Sequence, residues 1–190
     1  MQQEVAHLCS LNEIRSAFTW FRAQEPQFAQ WQLELARIAA PPFGESARGK
    51  WLADKFCELG LESVHTDEVG NVFGTHAGYG HGHVSLSAHL DTVFPAGTPL
   101  NIQQQGSRLY GPGVSDNGAG VTAMLAMVAA LRALGIRHAL PLLFIGNVVI
   151  RHVLRKWIAY PVDVIDVDPT CLLIRKIAFC SAIVFPTQLN

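Results

Sequence analysis

The chain has 190 residues, of which 49% are hydrophobic, and its formal net charge is −1. A chain of this length and composition can bury the core of one globular domain. Acidic and basic residues are interspersed, so neither a basic surface for nucleic acid nor an acidic disordered tail is expected.

The ends of the chain bear on its compartment. Residues 1–4 lack a basic stretch followed by an apolar one, so no signal peptide is predicted. The four cysteines have no Cys-x-x-Cys spacing and are expected to be reduced, partly buried thiols. The apolar stretch at 171–185 contains Arg175 and Lys176 and is too short for a membrane span. We therefore expect a cytoplasmic protein without a membrane partner.

Helical patterns dominate the first sixty residues. Residues 11–39 have apolar side chains at helical spacing, and the segment ends at Pro41. Ser46 is predicted to cap a second helix, and Gly60 to end it in the left-handed conformation.

Strand patterns follow at 62–66, 71–75, 84–88 and 140–147, and residues 118–134 form an apolar helix between the last two. The last two strands lack polar alternation, so they are predicted to be buried neighbours in one sheet with the helix packed across them. This order of elements predicts an α/β fold, a three-layer sandwich around a mixed sheet.

The candidate site consists of His89, Asp91 and Asp116. His89 and Asp91 are two residues apart, on the same side of a strand, and imidazole is a good zinc ligand that a neighbouring carboxylate can orient. Asp116 lies between Gly113 and Gly118, in a loop whose glycines allow the backbone to approach an ion closely. Asp116 has a second interpretation as the amino-terminal cap of the helix that follows.

Other polar residues carry less weight. Neither Ser87 nor Ser115 lies in the Gly-x-Ser-x-Gly turn of a serine hydrolase. His81 and His83 flank Gly82 in a polar loop and are expected to be surface residues rather than metal ligands. The other histidines are predicted to be isolated, with solvated or core roles: His65, His76, His138 and His152.

Two motifs carry a resemblance to a family. Ser-Ala-His-Leu-Asp-Thr-Val at 87–93, followed by Leu-Tyr-Gly-Pro-Gly-Val-Ser-Asp-Asn-Gly-Ala-Gly at 109–120, resembles the co-catalytic zinc peptidases and deacylases. This family includes acetylornithine deacetylase, succinyl-diaminopimelate desuccinylase, aminoacylase, glutamate carboxypeptidase and tripeptide aminopeptidase. The resemblance extends from about residue 25 to 147 and covers the amino-terminal part of the catalytic domain.

The resemblance implies a role for each residue of the candidate site. His89 would be a terminal ligand of one zinc ion, Asp91 the catalytic carboxylate that orients His89, and Asp116 the bridge between two zinc ions. A cis peptide bond between Asp116 and Asn117 is also implied. The implied reaction is hydrolysis of the amide bond of a peptide or an N-acyl amino acid, with zinc as cofactor and no residue assigned to an organic cofactor.

The chain departs from the family after the last predicted strand. Family members continue with Gly-Glu-Glu, which supplies the general base and a zinc ligand, whereas this chain continues with Gly146-Asn147-Val148 and has no glutamate after Glu68. The later ligands and the lid domain of the family are absent from the sequence as well. We therefore divide the chain into 1–148, an incomplete zinc-peptidase-like domain, and 149–190, an unrelated or frame-shifted tail. The tail is predicted to form an irregular appendage that does not extend the sheet, and the chain alone to be inactive.

Two alternatives stay open. Asp163, Asp166 or Asp168 could complete a rebuilt active site. A non-catalytic protein could instead retain the sheet and use it to bind a peptide or to form a homodimer.

Overall fold

The computed structural model describes residues 2–148 and 185–187. That part of the chain forms a mixed α/β fold with five helices and seven strands. The helices are α1 Gln2–Ser10, α2 Asn12–Ala23, α3 Glu25–Ala36, α4 Ser46–Glu58 and α5 Gly118–Ala133. The strands are β1 Glu62–Thr66, β2 Val72–His76, β3 His83–His89, β4 Gln103–Gln105, β5 Arg108–Tyr110, β6 Leu142–Asn147 and β7 Phe185–Thr187.

The central sheet has the strand order β1-β2-β6-β3-β7. Strands β3 and β6 are parallel, with Leu86 opposite Phe144 and His89 opposite Asn147, and the other neighbours are antiparallel. Helix α5 lies between β3 and β6 in the chain and packs against β3. The predicted pairing of these two strands, with the helix across them, is confirmed. The separate β4–β5 hairpin is an element that the sequence patterns did not predict.

One buried cluster joins the helices to the sheet. It contains Leu35 of α3, Phe56 of α4, Leu125 of α5 and Phe144 of β6, all fully buried. Since these helices share one cluster with Phe144, α3, α4 and α5 cover the same face of the sheet. The mixed α/β fold is therefore confirmed, and the described residues provide two of the three predicted layers.

The helical stretch predicted at 11–39 is divided in two. Helix α2 ends at Ala23 and α3 begins at Glu25, with Gln24 between them, and α1 precedes both. Pro26 lies in the first turn of α3, where its missing N–H leaves no intrahelical hydrogen bond unmade. The pattern thus gave the helical state correctly but missed the break.

The carboxyl-terminal end of α4 was predicted correctly, and its amino-terminal cap was not. Gly60 has φ of 72°, and the Leu61 N–H donates to the Phe56 carbonyl, a glycine-terminated helix end as expected. The capping role assigned to Ser46 is wrong: Ser46 is the first residue of α4, and Glu45 occupies the cap position without a capping hydrogen bond. The Glu45 carboxylate instead accepts the N–H of Phe43.

The tail departs from its prediction at one place. Residues 185–187 form β7 and pair with β3, so the expectation that the tail adds nothing to the sheet is wrong for this segment. The edge of β3 offers unpaired backbone groups that an added strand can satisfy. Asp163, Asp166, Asp168 and His152 lie outside the described residues.

Two expectations about composition can be checked on the described ranges. Cys9 and Cys57 are free thiols, as expected, but both are exposed, so the expectation that they are partly buried is wrong. Among the helices of residues 2–148, none is both long and apolar enough to cross a bilayer.

Candidate metal centre

The candidate site lies at the carboxyl end of the parallel strand pair. His89 is the last residue of β3, and Asp91 follows it in the loop. Asp116 lies in the glycine-containing loop that leads into α5. Loops after the carboxyl ends of parallel strands are where α/β proteins place their ligand sites.

The three predicted residues converge. His89 Nε2 lies 2.9 Å from Asp116 Oδ1, and His89 Nδ1 lies 3.2 Å from Asp91 Oδ1 and 3.1 Å from the Asp91 carbonyl oxygen. The side chains of His89 and Asp91 are 13% and 19% exposed, whereas that of Asp116 is 73% exposed. The imidazole therefore lies between two carboxylates, one covered and one facing solvent.

The contacts of His89 constrain its protons. Nδ1 faces two acceptors on Asp91, so Nδ1 carries a proton and donates it. In the neutral ring Nε2 then presents a lone pair toward the Asp116 carboxylate, and two acceptors at 2.9 Å require a cation at or near that position. The cation can be a second ring proton or a metal ion. This donor set therefore fits one side of a metal site.

Asp116 does not cap α5. Asn117 occupies the cap position of that helix, and no side chain makes the capping hydrogen bond there. The peptide bond between Asp116 and Asn117 is cis, as the family resemblance implied. The carboxylate contacts His89 instead, which favours the site interpretation over the capping one.

Arg48 supports the loop that carries Asp91, a role that was not predicted from the sequence. It is 1% exposed, donates from Nε to the Ile38 carbonyl and from Nη1 to the Leu90 carbonyl, and acts electrostatically on Asp91. Burial lowers the pKa of Arg48 to about 10, and the charge of Asp91 opposes this shift, so Arg48 is still protonated at neutral pH. An arginine four residues before Leu52, on the apolar face of α4, was the signal available in the sequence.

The loop that carries Asp116 packs closely on the loop after β3. Gly113 has φ of 69°, and a Cβ there would lie 2.6 Å from Cγ2 of Thr92 and 3.3 Å from Nη2 of Arg48. Thr92 in turn donates its N–H to the Ala40 carbonyl. Glycine at 113 thus allows the two loops, and with them Asp91 and Asp116, to come together.

A turn between β1 and β2 holds the end of β6. The Asp67 carboxylate accepts the N–H groups of Val69, Gly70 and Asn71, and Asn71 Oδ1 accepts the N–H of Val148. Burial raises the pKa of Asp67. These hydrogen bonds and one from the Asn71 amide lower it by a larger amount, so the net shift is downward. This turn fixes the point where β6 ends beside His89.

The prediction that His76 and His138 are isolated is wrong. The His76 Nδ1 and His138 Nε2 atoms lie 2.8 Å apart, although 62 positions separate the two residues in the chain. Within the described residues, no group of three or more histidine, cysteine or acidic side chains is arranged to hold a metal. His89 with Asp116 and His76 with His138 are therefore pairs of donors.

Comparison with known proteins covers the same segment. Residues 85–148, about a third of the chain, match the model of "Peptidase family M20/M25/M40". Carboxypeptidase G2 of Pseudomonas sp. (strain RS-16) is 28% identical over 103 residues, which are 50% of this chain and 24% of that protein. The chain thus spans about a quarter of this curated relative.

Solved structures resemble the described fold. A tripeptidase of Staphylococcus aureus is 28% identical with a TM-score of 0.55, covering 65% of this chain and 36% of its own. Aminopeptidase PepT of Bacillus cereus is 22% identical with a TM-score of 0.59, covering 72% and 40%. Human carnosine dipeptidase 1 is 20% identical with a TM-score of 0.58, covering 75% and 37%. The last two support the fold alone.

The motifs, the matched segment and the structural neighbours agree. The resemblance predicted from the motifs at 87–93 and 109–120 is confirmed by the family match and by the tripeptidase. The mixed sheet has the fold of these peptidases. Residues 85–148 thus match the model of the peptidase family M20/M25/M40, and the described fold resembles part of the tripeptidase of this comparison.

Proposed function

We propose that this chain carries one half of a two-zinc centre for hydrolysing the amide bond of a peptide or an N-acyl amino acid. The observation that supports it is the contact of His89 Nε2 with Asp116 Oδ1 at 2.9 Å, backed by Asp91 on the other ring nitrogen. His89 and Asp116, with donor atoms this close, would be able to hold one zinc ion between them.

Each residue has a stated task in this proposal. His89 donates its Nε2 lone pair, Asp116 supplies an exposed carboxylate with a second oxygen free to bridge, and Asp91 holds the ring in the tautomer that leaves Nε2 available. Zinc, when bound there, would polarise the substrate carbonyl and lower the pKa of a water molecule. Arg48 maintains the Asp91 loop by donating to the Leu90 carbonyl.

Proton transfer is the step for which the described residues hold no group. A general base must reach the attacking water, and both carboxylates of the site contact His89. The sequence has no glutamate after Glu68. We therefore propose that the chain by itself binds zinc weakly at this centre and does not turn over substrate.

The test combines zinc titration with an activity assay on the full chain. Calorimetry with zinc, on the chain carrying His76→Gln so that the pair of His76 and His138 does not contribute, should detect weak binding that adding His89→Ala reduces at least tenfold. Assays with dipeptides and N-acetylated amino acids, with zinc or cobalt added, should give no hydrolysis above that of His89→Ala. His65→Ala, in the exposed strand β1, is the matched control.

Two outcomes would contradict the proposal. Two tightly bound zinc ions per chain, both lost in His89→Ala, together with hydrolysis, would mean a complete and rebuilt active site. Zinc binding unchanged by His89→Ala, in a chain that dimerises without metal, would favour the non-catalytic, self-associating alternative.

A further inference from the structure

A second pair of histidines lies at the opposite end of the sheet from His89. His76, the last residue of β2, is opposite Leu142, the first residue of β6, while His89 is opposite Asn147, the last residue of β6. Five residue steps at about 3.3 Å place the two ends about 17 Å apart. A ligand at His76 would therefore not be shared with the candidate catalytic centre.

The two rings of this pair already face each other. His76 Nδ1 and His138 Nε2 are 2.8 Å apart, with ring centroids 4.9 Å apart and ring planes inclined by 43°. Two nitrogens bound to one tetrahedral ion at about 2.05 Å each lie about 3.3 Å apart. Small rotations of the rings would open the required separation without movement of the backbone.

His138 is held in the tautomer that a metal ligand needs. Its Nδ1 lies 2.7 Å from the Leu140 carbonyl oxygen, so Nδ1 carries the proton and Nε2 presents a lone pair toward His76. Histidines that bind metals almost always donate their other ring N–H in this way, often to a backbone carbonyl. His76 now donates from Nδ1 to that lone pair.

The backbone around the pair is fixed. The N–H groups of Tyr79 and Gly80 donate to the Ala139 carbonyl, and a side chain at Gly78 would collide with the backbone at Leu140. The two segments that carry the histidines are thus joined to each other by hydrogen bonds independent of the rings. Such a framework orders the ligands before an ion arrives.

The surroundings of His76 disfavour its protonated form. Desolvation, and then His138, lower the pKa of His76, while the Glu62 carboxylate and a hydrogen bond at Ala77 raise it. The net shift is downward, so the ring is neutral at pH 7 and its lone pair is available. The negative charge of Glu62 lies close enough to favour a bound cation.

We infer that His76 and His138 form a two-imidazole site for a divalent late transition-metal ion such as zinc. On binding, the His76 proton moves from Nδ1 to Nε2, so both facing lone pairs reach the ion and no proton is released. Water completes the coordination shell. Imidazole donors suit zinc, nickel and copper and exclude magnesium and calcium, which take oxygen ligands. The bound ion would fasten the loop after β2 to the segment before β6.

The experiment uses the full chain carrying His89→Gln, so that zinc binding at the catalytic centre is removed. Calorimetry with zinc chloride at pH 7.5 should give one ion per chain. Adding His76→Gln or His138→Gln should lower the affinity at least tenfold, while adding His65→Gln, a histidine that stacks on Phe73 in the same sheet, should not change it. Magnesium should not compete.

A spectroscopic readout identifies the binding atoms and does not depend on how the variants fold. Two-dimensional ¹H–¹⁵N spectra of the imidazole rings should show that the His76 proton moves from Nδ1 to Nε2 upon zinc addition. They should also show a change in the ¹⁵N chemical shift of His138 Nε2. The inference is overturned if zinc leaves both rings unchanged, or if His76→Gln and His138→Gln bind zinc as tightly as their parent. Because His89→Gln removes the first centre throughout, these results are independent of the proposed hydrolase function.

Discussion

A histidine ring lies beside each end of strand β6, His76 of β2 at the amino end and His89 of β3 at the carboxyl end, and the two rings face different partners. At the carboxyl end, the Nε2 lone pair of His89 faces the carboxylate of Asp116, so two acceptors meet. At the amino end, His76 donates to His138, so the contact is satisfied without any ion. The group that faces the lone pair of the histidine therefore decides whether the contact needs a cation or is already satisfied without one.

The buried side chain of Arg48 supports the loop beside the carboxyl end of β6, and removing it is expected to have the largest effect on stability. Arg48→Met removes a buried hydrogen bond to the Leu90 carbonyl, a partly buried one to the Ile38 carbonyl and the charge near Asp91, so we expect a loss of about 3 kcal/mol in the free energy of unfolding. Urea denaturation measures it. Lys50→Met, in the same helix but with a side chain 77% exposed, should cost less than about 0.5 kcal/mol. Equal losses in both variants would show that the carboxyl end lacks this buried support.

The second prediction concerns metal affinity at the carboxyl end. In a His76→Gln background, Asp91→Asn should lower the zinc affinity about 10- to 100-fold, because the amide orients His89 less strongly than the carboxylate does. Competition with a zinc indicator dye measures this change. Asp54→Asn, an exposed carboxylate on α4, is the control and should leave the affinity unaltered. An unchanged affinity in Asp91→Asn would remove Asp91 from its positioning role.

A smaller effect is expected at the turn that fixes the end of β6. In Asp67→Asn the new amide group would face the Asn71 amide, so we expect a loss of about 1 kcal/mol at pH 7. The folded pKa of Asp67 is lowered, so its contribution is present above the unfolded value of about 3.9 and is lost as pH falls through the folded value. Urea denaturation from pH 7 to pH 2.5 should therefore show the two proteins converging in acid. A constant difference would contradict this role.

The smallest effect on stability is expected for His76, beside the amino end of β6, with a chelator present to exclude bound metal. His76→Gln should lower the stability at pH 7.5 by about 0.5 kcal/mol, the value of one partly buried hydrogen bond. The folded pKa of His76 is lowered, so its contribution is present above the unfolded value of about 6.5 and is lost as pH falls through the folded value. Thermal melts from pH 7.5 to pH 5 should show the difference shrinking. A difference that grows in acid would reverse the assignment.

Local patterns were enough to predict the framework. The apolar runs of β3 and β6 and the apolar helix α5 between them predicted a parallel pair with a crossover, because burial on both faces removes polar alternation. The spacing of His89 and Asp91 placed these two residues on one side of a strand. The approach of Asp116, 27 positions away from His89, was implied by the family resemblance. Their roles as zinc ligands stay a proposal.

Contacts between distant segments were not predictable in this way. His76 and His138 meet only because β2 and the segment before β6 end side by side, a fact of sheet order that no local window contains. Arg48 is similar, since its partners at Ile38 and Leu90 belong to different loops. Strand β7 was missed because its pairing partner lies about a hundred residues earlier in the chain.

The parallel register of β3 and β6 has a practical consequence for engineering. Because His89 is level with Asn147, and the Val148 N–H is anchored to Asn71, the chain leaves the sheet directly beside the imidazole. One residue advances the backbone by at most about 3.5 Å, so a carboxylate introduced at Asn147 or Val148 would start close to the backbone of His89. The register thus tells a protein engineer which described positions could carry an added acid next to the imidazole.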